Sequence, residues 1–325
     1  MNILIVKTSS LGDVIHMLPA ISDAVQAQPD LKIDWLVEES FSAIPGWHPA
    51  VQRVIPIAMR RWKKQWRQRK TWQEIAHVRR QLRQQRYDLI IDSQGLLKSA
   101  LWAKQALGPC AGYDSQSIRE PLASWFYDRK LSVLRQLHAI ERNRRLMAQA
   151  LNYPAPESKP DYGLYGLAKR LPSPALDLPE HSVIGLHATS REDKLWPTDQ
   201  WISLAQELAK TGCKLILPWG SANERLRAEA IARQGGNAIV LPKLDLNALA
   251  CLIDQSQAVI GVDTGLLHLA AALGKPGLAL YTATPPALTG AVSDRHAHLP
   301  LRNLSTTEEL SSAFVTNMII TLLKS

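Results

Sequence analysis

Two groups of residues in this chain have the types and spacing for chemistry on an anionic ligand. The first is Lys7-Thr8-Ser9-Ser10-Leu11-Gly12-Asp13, which follows the apolar run Ile3-Leu4-Ile5-Val6 and leads into an apolar-periodic segment. The second is Asp263-Thr264-Gly265 with His268, which follows Ala258-Val259-Ile260-Gly261-Val262. Each puts small polar residues and a carboxylate where a helix begins. Such a terminus presents free N–H groups and the positive end of the helix dipole, so it suits phosphate. Asp13 reads either as a first-turn acid that complements the dipole or as a carboxylate facing a ligand, for which Ser9, Ser10 and Gly12 leave room. Thr264, Gly265 and His268 read as groups converging on a diphosphate, against a tight turn and a packed histidine.

Two further loops follow apolar runs. In 187–197, Thr189, Ser190 and Lys194 offer two hydroxyls and a cation for phosphate oxygens, at the end of a strand where ligand loops gather; an ordinary surface loop has the same composition. Glu224, after Pro218-Trp219-Gly220-Ser221, is either a ribose acceptor or a helix-start acid. The chain has neither G-x-G-x-x-G nor a P-loop, which removes the main support for dinucleotide and P-loop NTPase readings. It also lacks the D-x-D pair with which many sugar-transfer enzymes hold a metal on a diphosphate, so such a group must be stabilised another way.

The elements that position these loops alternate along the chain. Residues 2–6, 33–37, 54–57 and 89–91 are predicted buried strands, with helices over 13–28, 71–86, 97–107 and 138–151. Proline and glycine gather over 153–179 and mark a linker. Beyond it, strands are predicted at 182–186, 214–217, 238–241, 258–262 and 277–281, and helices at 198–210, 222–233, 245–254, 266–273 and 306–323. Strand-then-helix order implies parallel sheets covered on both faces. The expected fold is α/β, with two Rossmann-like domains, 1–165 and 175–305, facing one cleft.

At 325 residues and 46% hydrophobic content the chain is long and apolar enough for two cores. Cys110, Cys213 and Cys251 have neither disulfide nor metal-ligand spacing and are expected to be buried thiols. The start lacks a basic region and apolar core of a signal peptide, which points to the cytoplasm. A formal charge of +9 predicts an acidic partner. Residues 60–86 hold eleven Lys or Arg against one acid, Glu74, with Trp62, Trp66 and Trp72 interleaved. Arg79, Arg80, Arg83 and Arg86 fit a solvated helix face. Arg60, Arg61, Lys63 and Lys64 read as a loop that grips anions, and the tryptophans suit a lipid headgroup zone.

Taken in order, these stretches, with Trp35-Leu36-Val37-Glu38-Glu39, Asp92-Ser93-Gln94-Gly95-Leu96-Leu97-Lys98-Ser99 and Arg119-Glu120-Pro121-Leu122, resemble the ADP-heptose:lipopolysaccharide heptosyltransferases of glycosyltransferase family 9. The resemblance covers nearly the whole chain. It implies a GT-B fold with the acceptor on the first domain, ADP-heptose on the second, and the 306–323 helix returning to the first. It implies inverting, metal-independent transfer of heptose to the Kdo region of Kdo2-lipid A, with Asp13 as general base and no cofactor. Thr189, Ser190, Lys194, Thr264, Gly265 and His268 match diphosphate positions, Asp263 a heptose contact, Glu224 a ribose contact and Leu244 the adenine pocket. Lys7, Ser9, Arg60, Arg61, Lys63, Lys64 and Arg119 match acceptor-binding positions. A monomer is expected, peripheral on the inner face of the cytoplasmic membrane and without nucleic acid. Residues 282–286, Thr-Ala-Thr-Pro-Pro, depart from the Gly-Pro-Thr-type turn of the family, so no contact is assigned there. The rival among enzymes is another family-9 glycosyltransferase with a different acceptor or donor sugar; the reading from another class, a non-catalytic basic protein on nucleic acid or anionic lipid, explains the charge but gives the Asp13 and Asp263 loops no purpose.

Overall fold

The computed structural model describes residues 1–174 and 176–324; the expected start of the second domain, 175, lies outside the described residues. The chain divides between Gly163 and Leu164 into two compact units. In the first, β1 (Asn2–Val6), α1 (Leu11–Ile15), α2 (Leu18–Ala27), β2 (Lys32–Glu38), α3 (Ala43–Trp47), β3 (Val51–Ile57) and α4 (Met59–Lys64) are followed by α5 (Arg69–Leu82), β4 (Leu89–Asp92), α6 (Leu97–Ala103), β5 (Cys110–Tyr113), β6 (Arg129–Leu131) and α7 (Ala139–Leu151). The second unit runs β7 (Ser182–Leu186), α8 (Thr198–Lys210), β8 (Lys214–Leu217), α9 (Ala222–Gly235), β9 (Ala238–Val240) and α10 (Leu246–Gln255). It continues with β10 (Ala258–Val262), α11 (Gly265–Ala272), β11 (Gly277–Leu280), α12 (Pro286–Thr289), β12 (Leu301–Leu304) and α13 (Ser312–Lys324).

The sheet orders are β3-β2-β1-β4-β5-β6 and β12-β11-β10-β7-β8-β9, with every pair parallel. Both follow the Rossmann order. The strand order reverses between β1 and β4 in one sheet and between β7 and β10 in the other, and loops leaving the carboxyl ends there diverge to make a ligand crevice. Burial explains the strand sequences. Ile3, Leu4, Ile5 and Val6 have no exposure, nor do Val259, Ile260 and Val262, because helices cover both faces.

Several elements differ from those read in the sequence. The helix expected over 13–28 is two helices, since an unbroken one would bury Pro19 in its interior, where it has no N–H to donate; here it stands in the first turn of α2. Residues 60–64 are not a loop but the helix α4. It forms because Trp62, 6% exposed, packs its ring beside Trp102 and donates from Nε1 to Glu74 (2.7 Å). Trp66 and Trp72 do stay exposed, at 57% and 60%. β5, β6 and β12 were not expected, being three or four residues long with small or charged members. The three cysteines are buried thiols.

α13 is the observed part of the helix expected over 306–323. It packs on α8, β10 and β11 of the second unit, and Val315 and Ile319 join that unit's core. The reason is apolar area: the helix covers a face that includes Val262, Leu278 and Leu280. Burying Val315 and Ile319 contributes about 1.5–3 kcal/mol each. Among the described residues no helix is long and apolar enough to cross a membrane.

Candidate active site

The first switch point holds the Lys7–Asp13 loop. Asp13 sits at the third position of α1, where its Oδ2 accepts from Ser10 N (2.7 Å) and Ser10 Oγ (2.9 Å). Asp13 thus fulfils the capping reading, and both bonds fall on one oxygen, leaving Oδ1 to meet a third group. The loop is held from two sides. Trp35 Nε1 donates to Lys7 O (3.0 Å) and Glu38 N to Thr8 O (3.1 Å), both from β2. From the loop after β4, Gln94 Oε1 accepts from Thr8 N and Ser9 N, each at 3.0 Å.

Lys7 is not displayed to solvent as a surface anion-binder would be. It is 7% exposed, its Nζ donates to Ser93 O (3.0 Å), and burial pulls its pKa down against the pull of Asp13 and Asp92. Asp92 is fully buried. Burial pushes its carboxyl up, and hydrogen bonds from Tyr127, Ser99 and the Gly95 and Gln94 N–H groups oppose that. Tyr127 reaches it at 2.8 Å because Gly112 has no side chain; a Cβ there would lie 2.3 Å from the Tyr127 ring.

Ser9 is half-buried in this loop, and Arg119 is exposed. Of the α4 cations, Arg60, Lys63 and Lys64 are exposed. The Arg60 guanidinium lies over the Phe41 ring at 5.3 Å. Arg61 differs, since Glu39 (3.0 Å) and Glu74 (2.9 Å) already share its guanidinium.

The second switch point gathers Lys194, Asp263 and His268. Asp263 follows β10 and is 7% exposed; Lys194 Nζ pairs with its Oδ2 at 2.5 Å, and His268 Nε2 lies 3.8 Å from Oδ1. Thr284 Oγ1 donates to Oδ2 at 2.7 Å. Burial pushes the Asp263 carboxyl up, but His268, Lys194 and Thr284 together hold it well below the usual carboxylate range. Thr264 is the N-cap of α11, yet its hydroxyl makes no capping bond, and Gly265 opens the helix. Thr189 and Ser190 lie on the loop after β7, half-buried and exposed.

Glu224 stands in the first turn of α9, and Leu244 on the loop between β9 and α10. Glu224 Oε2 accepts from Gly220 N (2.7 Å) and Ser221 N (3.3 Å), as a helix-start acid does, and both bonds fall on that one oxygen. Leu244 is half-buried just before Asp245, the N-cap of α10.

The sequence reading passed over four residues that organise these loops: Asp92, Gln94, Thr284 and Arg227. Arg227 of α9 donates to His187 O (3.3 Å), Thr198 Oγ1 (2.7 Å) and Trp196 O, so one guanidinium ties both ends of the Thr189–Lys194 loop. Thr282 Oγ1 ties the loop's Asp193 O to the segment after β11 (2.9 Å). His187 is wholly buried beneath it, with Nε2 3.2 Å from Pro218 O. Burial, then the nearby Arg227 charge, push its pKa down to about 4. An unfolded histidine binds its proton near pH 6.5. The unfolded chain therefore takes up more protons between pH 6.5 and 4, and stability falls as pH drops through that window. Replacement with a residue that does not titrate, His187→Gln, is expected to flatten this acid loss. Melting temperatures of both proteins from pH 7.5 to 4 test it, and parallel curves would refute it.

Comparison with known proteins places the chain in a family. The family model for glycosyltransferase family 9 (heptosyltransferase) matches residues 75–317, well over half the chain. The chain belongs to glycosyltransferase family 9. Lipopolysaccharide heptosyltransferase 1 of Pseudomonas aeruginosa is 48% identical to it over 301 residues, 92% of this chain and 83% of that protein. The solved structure of Escherichia coli heptosyltransferase WaaC with ADP matches with TM-score 0.88 and 42% identity, over 100% of this chain and 99% of the other. The WaaC structure with ADP-2-deoxy-2-fluoro heptose matches at 0.85 and 41%, over 99% of each. This family-9 member is a glycosyltransferase, a heptosyltransferase of lipopolysaccharide core assembly. Its paired Rossmann-like sheets are the GT-B class that the sequence implied.

Proposed function

We propose that this heptosyltransferase moves L-glycero-D-manno-heptose from ADP-heptose to the Kdo region of Kdo2-lipid A, as the first heptose of the inner core. The observation that carries this reading is the Lys194–Asp263–His268 cluster at the second sheet's switch point, where hydroxyls and cations suit a sugar diphosphate. Asp13 holds the equivalent place on the first sheet. It takes the proton of the Kdo hydroxyl as that oxygen bonds to the anomeric carbon of heptose. The bond from that carbon to the diphosphate breaks on the opposite face, ADP leaves, and configuration inverts.

Negative charge grows on the departing ADP, and preorganised donors stabilise it. Thr189, Ser190, Lys194, Thr264, Gly265 and His268 fill that role without a metal. Asp263 contacts heptose hydroxyls, Glu224 the ribose and Leu244 the adenine. Lys194 exchanges its ion pair with Asp263 for the diphosphate. On the acceptor side Ser9, Arg60, Lys63, Lys64 and Arg119 present hydroxyl and cationic groups to carboxylates and phosphates, where Arg pairs bidentately. Arg61 does so by leaving Glu39 or Glu74. Lys7 acts from inside, through its charge beside Asp13. The basic helices, with exposed Trp66 and Trp72, draw the protein to the inner face of the cytoplasmic membrane, each basic residue near that surface adding about 1 kcal/mol.

ADP release tests the reading. Purified protein is mixed with ADP-heptose and Kdo2-lipid A in EDTA, and each substrate is omitted in turn. Release that needs both substrates and survives chelation is expected. Release without acceptor, or none with any metal added, would overturn it.

A further inference from the structure

The loop that carries Asp13 does not hold itself in place. β1 and β4 pair only as far as Val6 and Asp92, so Thr8 and Ser9 lie beyond the ladder. Their N–H groups have one acceptor, Gln94 Oε1, at 3.0 Å each, and the Thr8 hydroxyl approaches the same oxygen at 3.4 Å. The next residue, Ser10, makes both hydrogen bonds to Asp13. Gln94 is fixed in turn. Its own N–H donates to Asp92 Oδ1 (2.9 Å), and Asp92 Oδ2 accepts from Ser99 Oγ and Tyr127 OH, both at 2.8 Å. A line of hydrogen bonds therefore runs from buried Asp92 through Gln94 and the Thr8–Ser9 backbone to the Asp13 carboxylate.

We propose that Gln94 is a positioning residue for heptosyl transfer: its side-chain carbonyl fixes the Thr8–Ser9 backbone and so aims Asp13 at the acceptor hydroxyl. This rests on Asp13 being the base. An amide suits the position, because its oxygen accepts two N–H bonds without adding a negative charge that would compete for the same proton. Asparagine is one methylene shorter and hydroxyls shorter still. Misplacing a reacting group by about 1 Å can lower a rate about 10²-fold. The charged and titratable groups around this line include Lys7, Asp92, Tyr127, Tyr113 of β5, Arg119 of the loop after β5 and Arg142 of α7. His16 follows α1, with its ring 5.8 Å from that of His138. Only the change at residue 94 differs between the proteins compared, so a shift in titration is assigned to it.

Three variants test the proposal, each by single-turnover transfer rate from pH 5 to 9 and by ADP-heptose affinity. Gln94→Met removes the acceptor and is expected to slow transfer about 10- to 100-fold, with ADP-heptose affinity unchanged. Gln94→Glu keeps an acceptor oxygen and adds a charge. It is expected to recover most of the rate at high pH while the acid limb moves to higher pH, since a nearby negative charge favours the protonated form of a carboxyl. Transfer by Gln94→Met within twofold of the unaltered protein would overturn the proposal, and so would an unmoved acid limb in Gln94→Glu or a rate loss matched by lost ADP-heptose affinity. Asp13→Asn is the third variant. If it stays active, the base reading fails; if it is inactive while both Gln94 variants behave as the unaltered protein, only the role of Gln94 fails.

Discussion

Replacing Asp13 with Asn is expected to slow transfer by about 10²- to 10⁴-fold, the range a positioned general base supplies. ADP-heptose binding is expected to stay near normal, because the residues proposed to bind the donor all belong to the other unit. Asn is the informative substitution. The Asp13 carboxylate also caps α1 through Ser10, so Asp13→Ala removes a cap as well as the proposed base. A lost cap costs about 1 kcal/mol, and the alanine variant should melt earlier than the asparagine variant, whose amide oxygen can still accept from Ser10. Transfer rate, ADP-heptose titration and melting temperature on both variants separate the two roles. An asparagine variant that keeps a tenth or more of the activity would show that Asp13 is only a cap.

The second large effect is expected at Lys194. Lys194→Met should weaken ADP-heptose binding about 10- to 100-fold, as befits a lost charge-assisted hydrogen bond. It should also destabilise the ligand-free protein, because Asp263 is left buried with one cation fewer. Breaking a buried pair costs about 3 kcal/mol; Thr284 and His268 remain beside the carboxylate and keep the loss from being larger. The pH dependence has a defined sign. Asp263 is held below the usual carboxylate range in the folded protein, so its contribution is fully present above about pH 4 and is lost as pH falls further. The gap between the two proteins should stay constant from pH 8 to about 5 and narrow below about 4. Urea unfolding across that range and calorimetric titration with ADP-heptose measure both effects. Unchanged affinity together with unchanged stability would remove Lys194 from the site.

How much of this was legible in the sequence depended on range. β1, β7 and β10 stood out because buried parallel strands are apolar throughout, and α7 to α11 because their periodic stretches are long. β6 and β12 sit at sheet edges with one neighbour each, and stretches such as Arg129–Leu131 carry no periodic signal. The switch-point loops were readable from small residues beside a carboxylate. Their supports were not. Gln94 lies 81 positions from Asp13, and Arg227 29 to 40 from the residues it ties; only the sheet order brings them together. Gln94 did lie in a stretch that marked the family, directly after a strand ending in Asp92, and that was the available signal. The burial of Lys7 was not readable either, because its amine meets Ser93 O from a loop 86 positions away. Trp62 likewise looked like its exposed neighbours until its ring met Trp102.

The packing of α13 has a consequence for how the protein is made. Chain synthesis proceeds at roughly 5–20 residues per second, and more than fifty residues separate β10 from Val315. For several seconds the nascent second unit has Val262, Leu278 and Leu280 of its sheet uncovered, a sticky surface beside the ribosome. The first unit, complete by residue 163, can fold long before. Its partner waits for α13, and chaperones that bind exposed apolar strands have their opening in that interval.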